Sequence, residues 1–292
     1  MKAPNFQYHA PASLQQALRL LATQDNAKAL AGGQSLMPMM NFRIAQPDHL
    51  VDLNGIRELA GIEAVAGGFR IGAMTRQRDL LADATLRRNV PILAEALTHV
   101  GHIQTRNRGT IGGSLCHADP AAELPTVCLA LDATLTLERV DGRRELPMRD
   151  WPLGYLFTTM EADELLTAVH LPQWPAGHGW SFVEFARRHG DFAIVSVAAL
   201  LQLDAAGRVQ RAAIAIGGYT DKPVRLEAAE QLLVGQPLSE ALFDQAADLA
   251  PLLEDATSDA YVTGDYRRHL ARVLVRRALR AATERCGAGV KQ

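Results

Sequence analysis

The chain has 292 residues, which at about 150 residues per domain is room for roughly two domains. A composition of 48% hydrophobic, 21% charged and 5% aromatic residues excludes a disordered or fibrous protein. Thirty Lys and Arg against 32 Asp and Glu leave a formal net charge of -2, so the chain lacks the positive field that drives non-specific nucleic-acid binding.

Ser13 and Gln16 have the spacing of a capping box, and Leu14, Ala17, Leu18 and Leu21 recur at helical period, which predicts a first helix. Residues 27–30 and 50–53 read as strands, and the whole as a small α/β unit. The runs 62–65 and 69–71 flank Gly67 and Gly68, whose access to positive φ suits a hairpin turn. Pro91 opens and Gly101 closes a helix over 91–100, and the polar segment 101–114 reads as loop. Helical spacing returns over 123–131, followed by an alternating strand at 134–137, a turn at Asp141 and Gly142, and a strand over 144–148.

The stretch 171–179 concentrates Pro172, Pro175, Gly177 and Gly179 between strand-like runs and is the predicted domain boundary. Beyond it, 195–203 and 211–216 read as strands paired around a turn at 205–207. Helical patterns follow over 226–234, 239–250 and 265–285, so the second domain is a sheet followed by helices, an α+β arrangement. The last helix holds seven arginines between Arg267 and Arg285, expected on a solvated face, with Tyr266, Leu270, Val273 and Leu274 as its apolar stripe.

Two strings carry the most chemical information. Ala31, Gly32, Gly33, Gln34 and Ser35 form one; Thr110, Ile111, Gly112, Gly113 and Ser114 form the other. Each sets adjacent glycines beside hydroxyl residues, so that a ligand can approach the backbone and N–H groups can converge on an anion; two such loops suit a pyrophosphate. Neither fits G-x-G-x-x-G, and G-x-x-x-x-G-K-[ST] is absent, which excludes the usual dinucleotide fingerprint and the P-loop.

The longer strings from Leu30 to Pro38 and from Thr105 to Pro125, together with Phe185, Ala186, Arg187, Arg188, His189, Gly190, Asp191, Phe192, Ala193, Ile194 and Val195, resemble the FAD-binding medium subunits of molybdenum hydroxylases, the family of xanthine dehydrogenase and aerobic carbon monoxide dehydrogenase. The three strings occur in family order and span essentially the whole chain. The resemblance implies an FAD-binding domain of the vanillyl-alcohol-oxidase (PCMH) type over 1–176, made of two α/β subdomains of about 1–57 and 58–176. It implies a C-terminal α+β domain over 177–292, like that of the carbon monoxide dehydrogenase flavoprotein.

By match of motif, the FAD pyrophosphate falls to Ala31, Gly32, Gly33, Gln34 and Ser35 and to Thr110, Ile111, Gly112, Gly113 and Ser114. Glu123 stands at a family position whose carboxylate contacts FAD, where aspartate is common. Asp191 and Phe192 match the Gly-Asp-aromatic turn near the isoalloxazine, with phenylalanine keeping ring packing and losing a hydroxyl hydrogen bond relative to tyrosine. Phe192 as an ordinary core residue is the competing reading. Val100 matches an apolar flavin contact, a role that a helix-terminal valine does not require.

Other residues near the second string have plainer readings. His102 and His117 lack metal-ligand partners at suitable spacing, Arg106 and Arg108 can offset phosphate charge or face solvent, and Cys116 has no His-Asp pattern to make it a nucleophile. No catalytic acid, base or nucleophile is assigned, as befits a chain whose chemistry belongs to a redox cofactor.

The three cysteines, Cys116, Cys128 and Cys286, show no C-x-x-C spacing and are too few for an ordinary iron–sulfur cluster or structural zinc site. No metal site is expected here. The count also argues against the variant, seen in 4-hydroxybenzoyl-CoA reductase, whose flavin subunit holds a four-cysteine cluster. An odd cysteine would remain after any disulfide, which favours a reducing compartment, and neither an apolar signal core nor an 18-residue apolar run is present, so a cytoplasmic chain without membrane insertion is expected.

The resemblance implies non-covalent FAD here, a large partner with the molybdenum cofactor, a small partner with two [2Fe–2S] clusters, and a dimer of heterotrimers. The alternatives are a self-contained flavin oxidoreductase of the same superfamily, for which Cys116 and His117 leave a covalent link open, and an assembly subunit without flavin, against which both intact glycine strings speak.

Overall fold

The computed structural model describes residues 1–253 and 256–287; residues 254, 255 and 288–292 of the predicted 177–292 segment lie outside that range. Contacts divide the chain into two compact units that interleave in sequence. The first comprises Met1–Leu80, His102–His117 and Ala133–Pro172. The second comprises Leu81–Gly101, Ala118–Asp132 and the described residues from Gln173 onward. The change at 172–173 falls within the Pro- and Gly-rich stretch, but no single cut separates the two units. Helices Pro91–His99 and Glu123–Ala130 pack on the strands that follow residue 178, whereas both earlier sheets stay together in the first unit.

In the first unit, Ser13 Oγ accepts from the Gln16 N–H and opens the helix Leu14–Thr23. Gln16 Oε1 closes the cap on Ala12 N–H, one residue earlier than the standard box. Ala17, Leu18 and Leu21 pack on Val51, Leu53, Ile56 and Leu59. The parallel sheet has the spatial order Gln7–His9, His49–Asp52, Ala27–Leu30, and the chain passes from the last of these strands through residues 31–35 into the short helix Leu36–Asn41. The second sheet is antiparallel, in the order Ile62–Val65, Gly68–Gly72, Leu165–Pro172, Thr134–Arg139, Gly142–Pro147. Gly67, at φ +79, makes the expected turn.

The segment 101–114 is not a loop. It forms the helix Ile103–Arg108 and enters a second helix, Ile111–His117, separated by Gly109 and Thr110. Its polar composition reflects exposure of the first helix, none of whose residues is buried, whereas Ile111 and Leu115 anchor the second in the core. Tertiary packing overrides the poor helix propensity of glycine.

The second unit is built on an antiparallel sheet ordered Gly179–Ala186, Ala193–Leu203, Val209–Gly217, Val224–Arg225. Val195, Val197, Ala199 and Leu201 join the core cluster that includes the long helix Gly264–Arg285, while Ser196 shares the neighbourhood of Gly217 with Thr126 of the helix Glu123–Ala130. Covered on both faces, the central strand is an apolar run with no alternation, which is how it reads in the sequence. On the long helix, Tyr266 is 42% exposed and Val273 half-buried. The buried stripe is Arg267, Leu270, Ala271, Leu274, Val275, Ala278, Leu279 and Ala282. The expected stripe is thus corrected by rotation of the helix, whose small alanines let it approach the sheet closely. Arg268, Arg272, Arg276 and Arg280 make exposed or half-exposed ion pairs, in keeping with a solvated face. Among the described residues, no helix is long and apolar enough to cross a membrane.

At the edge of the first unit, Arg144 grips Glu164 with two bonds of 2.7 Å, and the Glu161 N–H adds a third at 2.9 Å. Arg144, opposed by burial, holds the Glu164 carboxyl below the ordinary glutamate value. Stability from such a group is present above the unfolded pKa and is lost as pH falls through the depressed folded value. Glu164→Gln should lower stability at neutral pH by about 1–3 kcal/mol and flatten the acid limb of a melting-temperature profile relative to the wild type.

Candidate functional site

Both glycine strings lie in the first unit and meet there. Gly32 is pressed on the second string's approach: a Cβ would fall 2.3 Å from the Arg108 carbonyl oxygen and 2.9 Å from Gly109 Cα. A Cβ on Gly113 would lie 2.8 Å from Thr110 Oγ1 and 3.5 Å from Ala31 Cβ. Side chains fasten the junction. Asn54 Nδ2 donates to the Ala31 carbonyl at 3.0 Å, its Oδ1 accepts from Arg76, and Arg76 also donates to the Arg108 carbonyl.

The two strings differ in what they can offer a ligand. Gly33 adopts φ +72, a left-handed turn that glycine takes without strain. Among the described residues, the N–H groups of Gly32, Gly33, Gln34 and Ser35 donate to no acceptor in the chain. In the second string four of the five amides are engaged: Ile111 donates to Thr75 O, Gly112 to Ala73 O, Gly113 to Thr110 Oγ1 and Ser114 to Thr110 O, at 2.9–3.2 Å, while among the described residues the Thr110 N–H has no acceptor. The expectation that N–H groups from both loops converge on an anion narrows, on the second string, to the N–H of Thr110. Residues 111–114 form the start of a helix strapped to residues 73–75, so this string offers hydroxyls, the Thr110 N–H and close packing. Gly112 is required by the protein itself, since a Cβ would fall 2.6 Å from Ala73 Cβ.

Burial pushes the Arg76 guanidinium below its ordinary value, and the neighbouring Arg108 cation adds to the effect. Asn54 and Arg76, which join the loops, carried no motif in the sequence; the parallel register of Leu30 and Asp52 brings Asn54 to this end of the sheet, and an antiparallel bridge to Thr110 brings Arg76 there.

Glu123, Asp191 and Phe192 belong to the second unit. Glu123 is 5% exposed, and burial pushes its carboxyl up to about 8. Glu184 and Asp119 add to that rise while His99 opposes it. His99 is itself bonded to Glu184 at 3.2 Å, and that bond raises its pKa against the effect of burial. Asp191 pairs with Arg188 at 3.1 Å across a turn in which Gly190 has φ +87. Phe192 is 58% exposed, so it is not a core residue. Gly218 links the two segments, its N–H donating to Pro120 O at 2.7 Å. Val100 is buried at the end of its helix. Desolvation pushes the thiol of the half-buried Cys116 up to about 12, leaving it protonated at neutral pH.

Residues 4–174 match the family described as FAD binding domain in molybdopterin dehydrogenase, and residues 180–282 match the CO dehydrogenase flavoprotein C-terminal domain. The chain is 42% identical to the alpha subunit of the 6-hydroxypseudooxynicotine dehydrogenase complex of Paenarthrobacter nicotinovorans, over 98% of this chain and 97% of that one. Among solved structures it resembles carbon monoxide dehydrogenase from Hydrogenophaga pseudoflava, with a TM-score of 0.95 and 38% identity over 98% and 100% of the two chains. It also resembles quinoline 2-oxidoreductase from Pseudomonas putida 86, with a TM-score of 0.93 and 39% identity over 97% and 99%.

A buried acid with a raised pKa loses its proton more readily when unfolded, so Glu123 subtracts stability progressively as pH rises from the ordinary glutamate range toward 8. In urea melts of the FAD-free chain, Glu123→Gln should exceed the wild type above about pH 8 by at least ~1.4 kcal/mol, and the two should converge near pH 5.

Proposed function

Because the chain belongs to the family of FAD-binding medium subunits of molybdenum hydroxylases, we propose that it holds FAD non-covalently and relays electrons from [2Fe–2S] clusters on a small partner to a terminal acceptor. A large partner carries the molybdenum cofactor and oxidises the substrate. The observation that carries this reading is the row of four N–H groups at Gly32, Gly33, Gln34 and Ser35, open to an anion and braced against the second glycine string. Backbone amides in such a nest bind phosphate oxygens directly. The mutual repulsion of Arg76 and Arg108 adds to the argument, since a bound pyrophosphate would relieve it.

In this reading Ala31, Gly32, Gly33, Gln34 and Ser35 hold the pyrophosphate through their backbone. Thr110, Ile111, Gly112, Gly113 and Ser114 close the other side, with the hydroxyls of Thr110 and Ser114 as donors. Glu123, which keeps its proton at neutral pH, would donate a hydrogen bond to a flavin-nucleotide oxygen. Asp191 and the exposed ring of Phe192 would contact the isoalloxazine, where an aromatic face would exclude water. Bound FAD supplies a carrier that exchanges electrons singly with clusters and in pairs with an acceptor.

The electron-carrying clusters are placed on a partner because three scattered cysteines cannot ligate them. Names such as medium chain and complex subunit among the relatives support partners for this chain, and the family resemblance supports a dimer of heterotrimers. Relatives named for carbon monoxide and for a nicotine derivative lie at 36% and 42% identity over nearly the full length, which supports substrate selectivity residing on the large partner. The half-buried Cys116, its thiol held protonated by desolvation, gives no support to a covalent flavin link.

Gly113→Val places a branched side chain between the two strings, where Thr110 and Ala31 approach. The wild-type chain should purify yellow and release intact FAD on acid denaturation. The variant should keep its helical circular-dichroism signal and lose FAD by at least about tenfold in affinity, roughly one charge-assisted hydrogen bond. Unchanged FAD content in Gly113→Val would contradict the cradle.

A further inference from the structure

Arg267 lies in the first turn of the helix Gly264–Arg285, with a side chain only 9% exposed. A cation there opposes the helix dipole, and a buried guanidinium is costly unless its N–H groups are paired. Three acceptors offset much of that cost, while Nε stays buried without a partner among the described residues. Nη1 donates to the carbonyls of Ile194 and Gly218, and Nη2 to Asp259 Oδ2, each at 2.5 Å. Asp259 is itself aimed by the N–H groups of Tyr261 and Val262.

The two carbonyls lie where neighbouring strands part. Strands Ala193–Leu203 and Val209–Gly217 pair as far as Ser196 and Gly217. Beyond that point Gly218 turns at φ +70, so close to its neighbour that a Cβ would fall 2.7 Å from Ile194 O. Gly218 also holds Pro120 O through its N–H. One guanidinium therefore ties two segments together. One runs from Pro120 into Glu123; the other is the turn carrying Asp191 and Phe192, two residues before Ile194. Phe192 is too exposed to be fixed by packing of its own ring, so the backbone sets its place.

We infer that Arg267 is a positioning residue that fixes Glu123 and the Asp191–Phe192 turn relative to each other and so sets how both meet the flavin. The inference rests on the proposed function, which assigns those residues to FAD. Lysine cannot replace arginine here, because a single ammonium does not present a planar fork to two carbonyls and a carboxylate.

The test compares Arg267→Lys, Phe192→Ala and the double variant in the assembled, FAD-loaded complex. It follows amide hydrogen exchange along this chain and the visible absorption band of the flavin. Arg267→Lys should speed exchange in residues 189–194 by about tenfold, the effect of losing a charge-assisted hydrogen bond. It should also move the flavin band in the same direction as Phe192→Ala, and the double variant should move it no further. If Arg267→Lys does not fold, Asp259→Asn removes only the carboxylate that aims the guanidinium and carries the same expectation. A band moved by Phe192→Ala but not by Arg267→Lys, or exchange that rises uniformly along the chain, overturns the positioning role alone. A band unmoved by Phe192→Ala removes the turn from the flavin and overturns both the assignment and the inference.

Discussion

Gly32, Gly33, Gln34 and Ser35 present four consecutive backbone N–H groups with no acceptor among the described residues, an arrangement that a folded chain keeps only where solvent or a ligand takes the partner's place. Residues 32–35 sustain this arrangement because the loop is held from outside. Asn54 takes the Ala31 carbonyl, Arg76 takes both Asn54 and the Arg108 carbonyl, and Gly32 sits too close to the backbone of Arg108 and Gly109 for any side chain to intervene. The rest of the first unit serves this junction. The parallel sheet delivers residue 31, and residues 73–75, just beyond an antiparallel strand, anchor the helix that begins at Ile111.

The second unit solves a different problem. Its sheet is covered on both faces and brings the ends of three strands to the place where the buried segment entering Glu123 and the exposed turn carrying Asp191 and Phe192 are held. A buried arginine and a left-handed glycine perform that task through carbonyls, which leaves the side chains of Glu123, Asp191 and Phe192 uncommitted to packing between strands. The raised pKa of Glu123 follows from the same design: a carboxyl at a helix start would ordinarily be favoured as an anion, but burial outweighs the dipole.

Much of this was legible in the sequence, for particular reasons. The glycine strings and the Gly-Asp-Phe turn are local patterns whose spacing survives in one dimension, and the helix at Leu14 and the hairpin at Gly67 follow local rules of capping and turn conformation. The helices at 103–117 were illegible because their formation depends on Thr75 and Ala73, distant residues that compensate for glycine and threonine. The stripe on the last helix was misplaced for a related reason: periodicity marks apolar residues, but here an arginine shares the buried face and a tyrosine leaves it. Asn54 and Arg76 carry no motif at all, since their role exists only once the parallel strands have set Leu30 beside Asp52 and a bridge has set Arg76 beside Thr110.

The glycines also acquire a sharper meaning. Adjacent glycines suggest a ligand's approach, yet Gly32 and Gly112 are required by the chain's own backbone and side-chain packing, and only the left-handed Gly33 shapes the open row of amides. The most direct measurement is an experimental structure of the chain with FAD. The account predicts pyrophosphate oxygens within hydrogen-bonding distance, about 2.7–3.2 Å, of N–H groups in the row from Gly32 to Ser35, with Thr110 or Ser114 on the opposite side. A pyrophosphate seated elsewhere, with those amides still facing water, would contradict it.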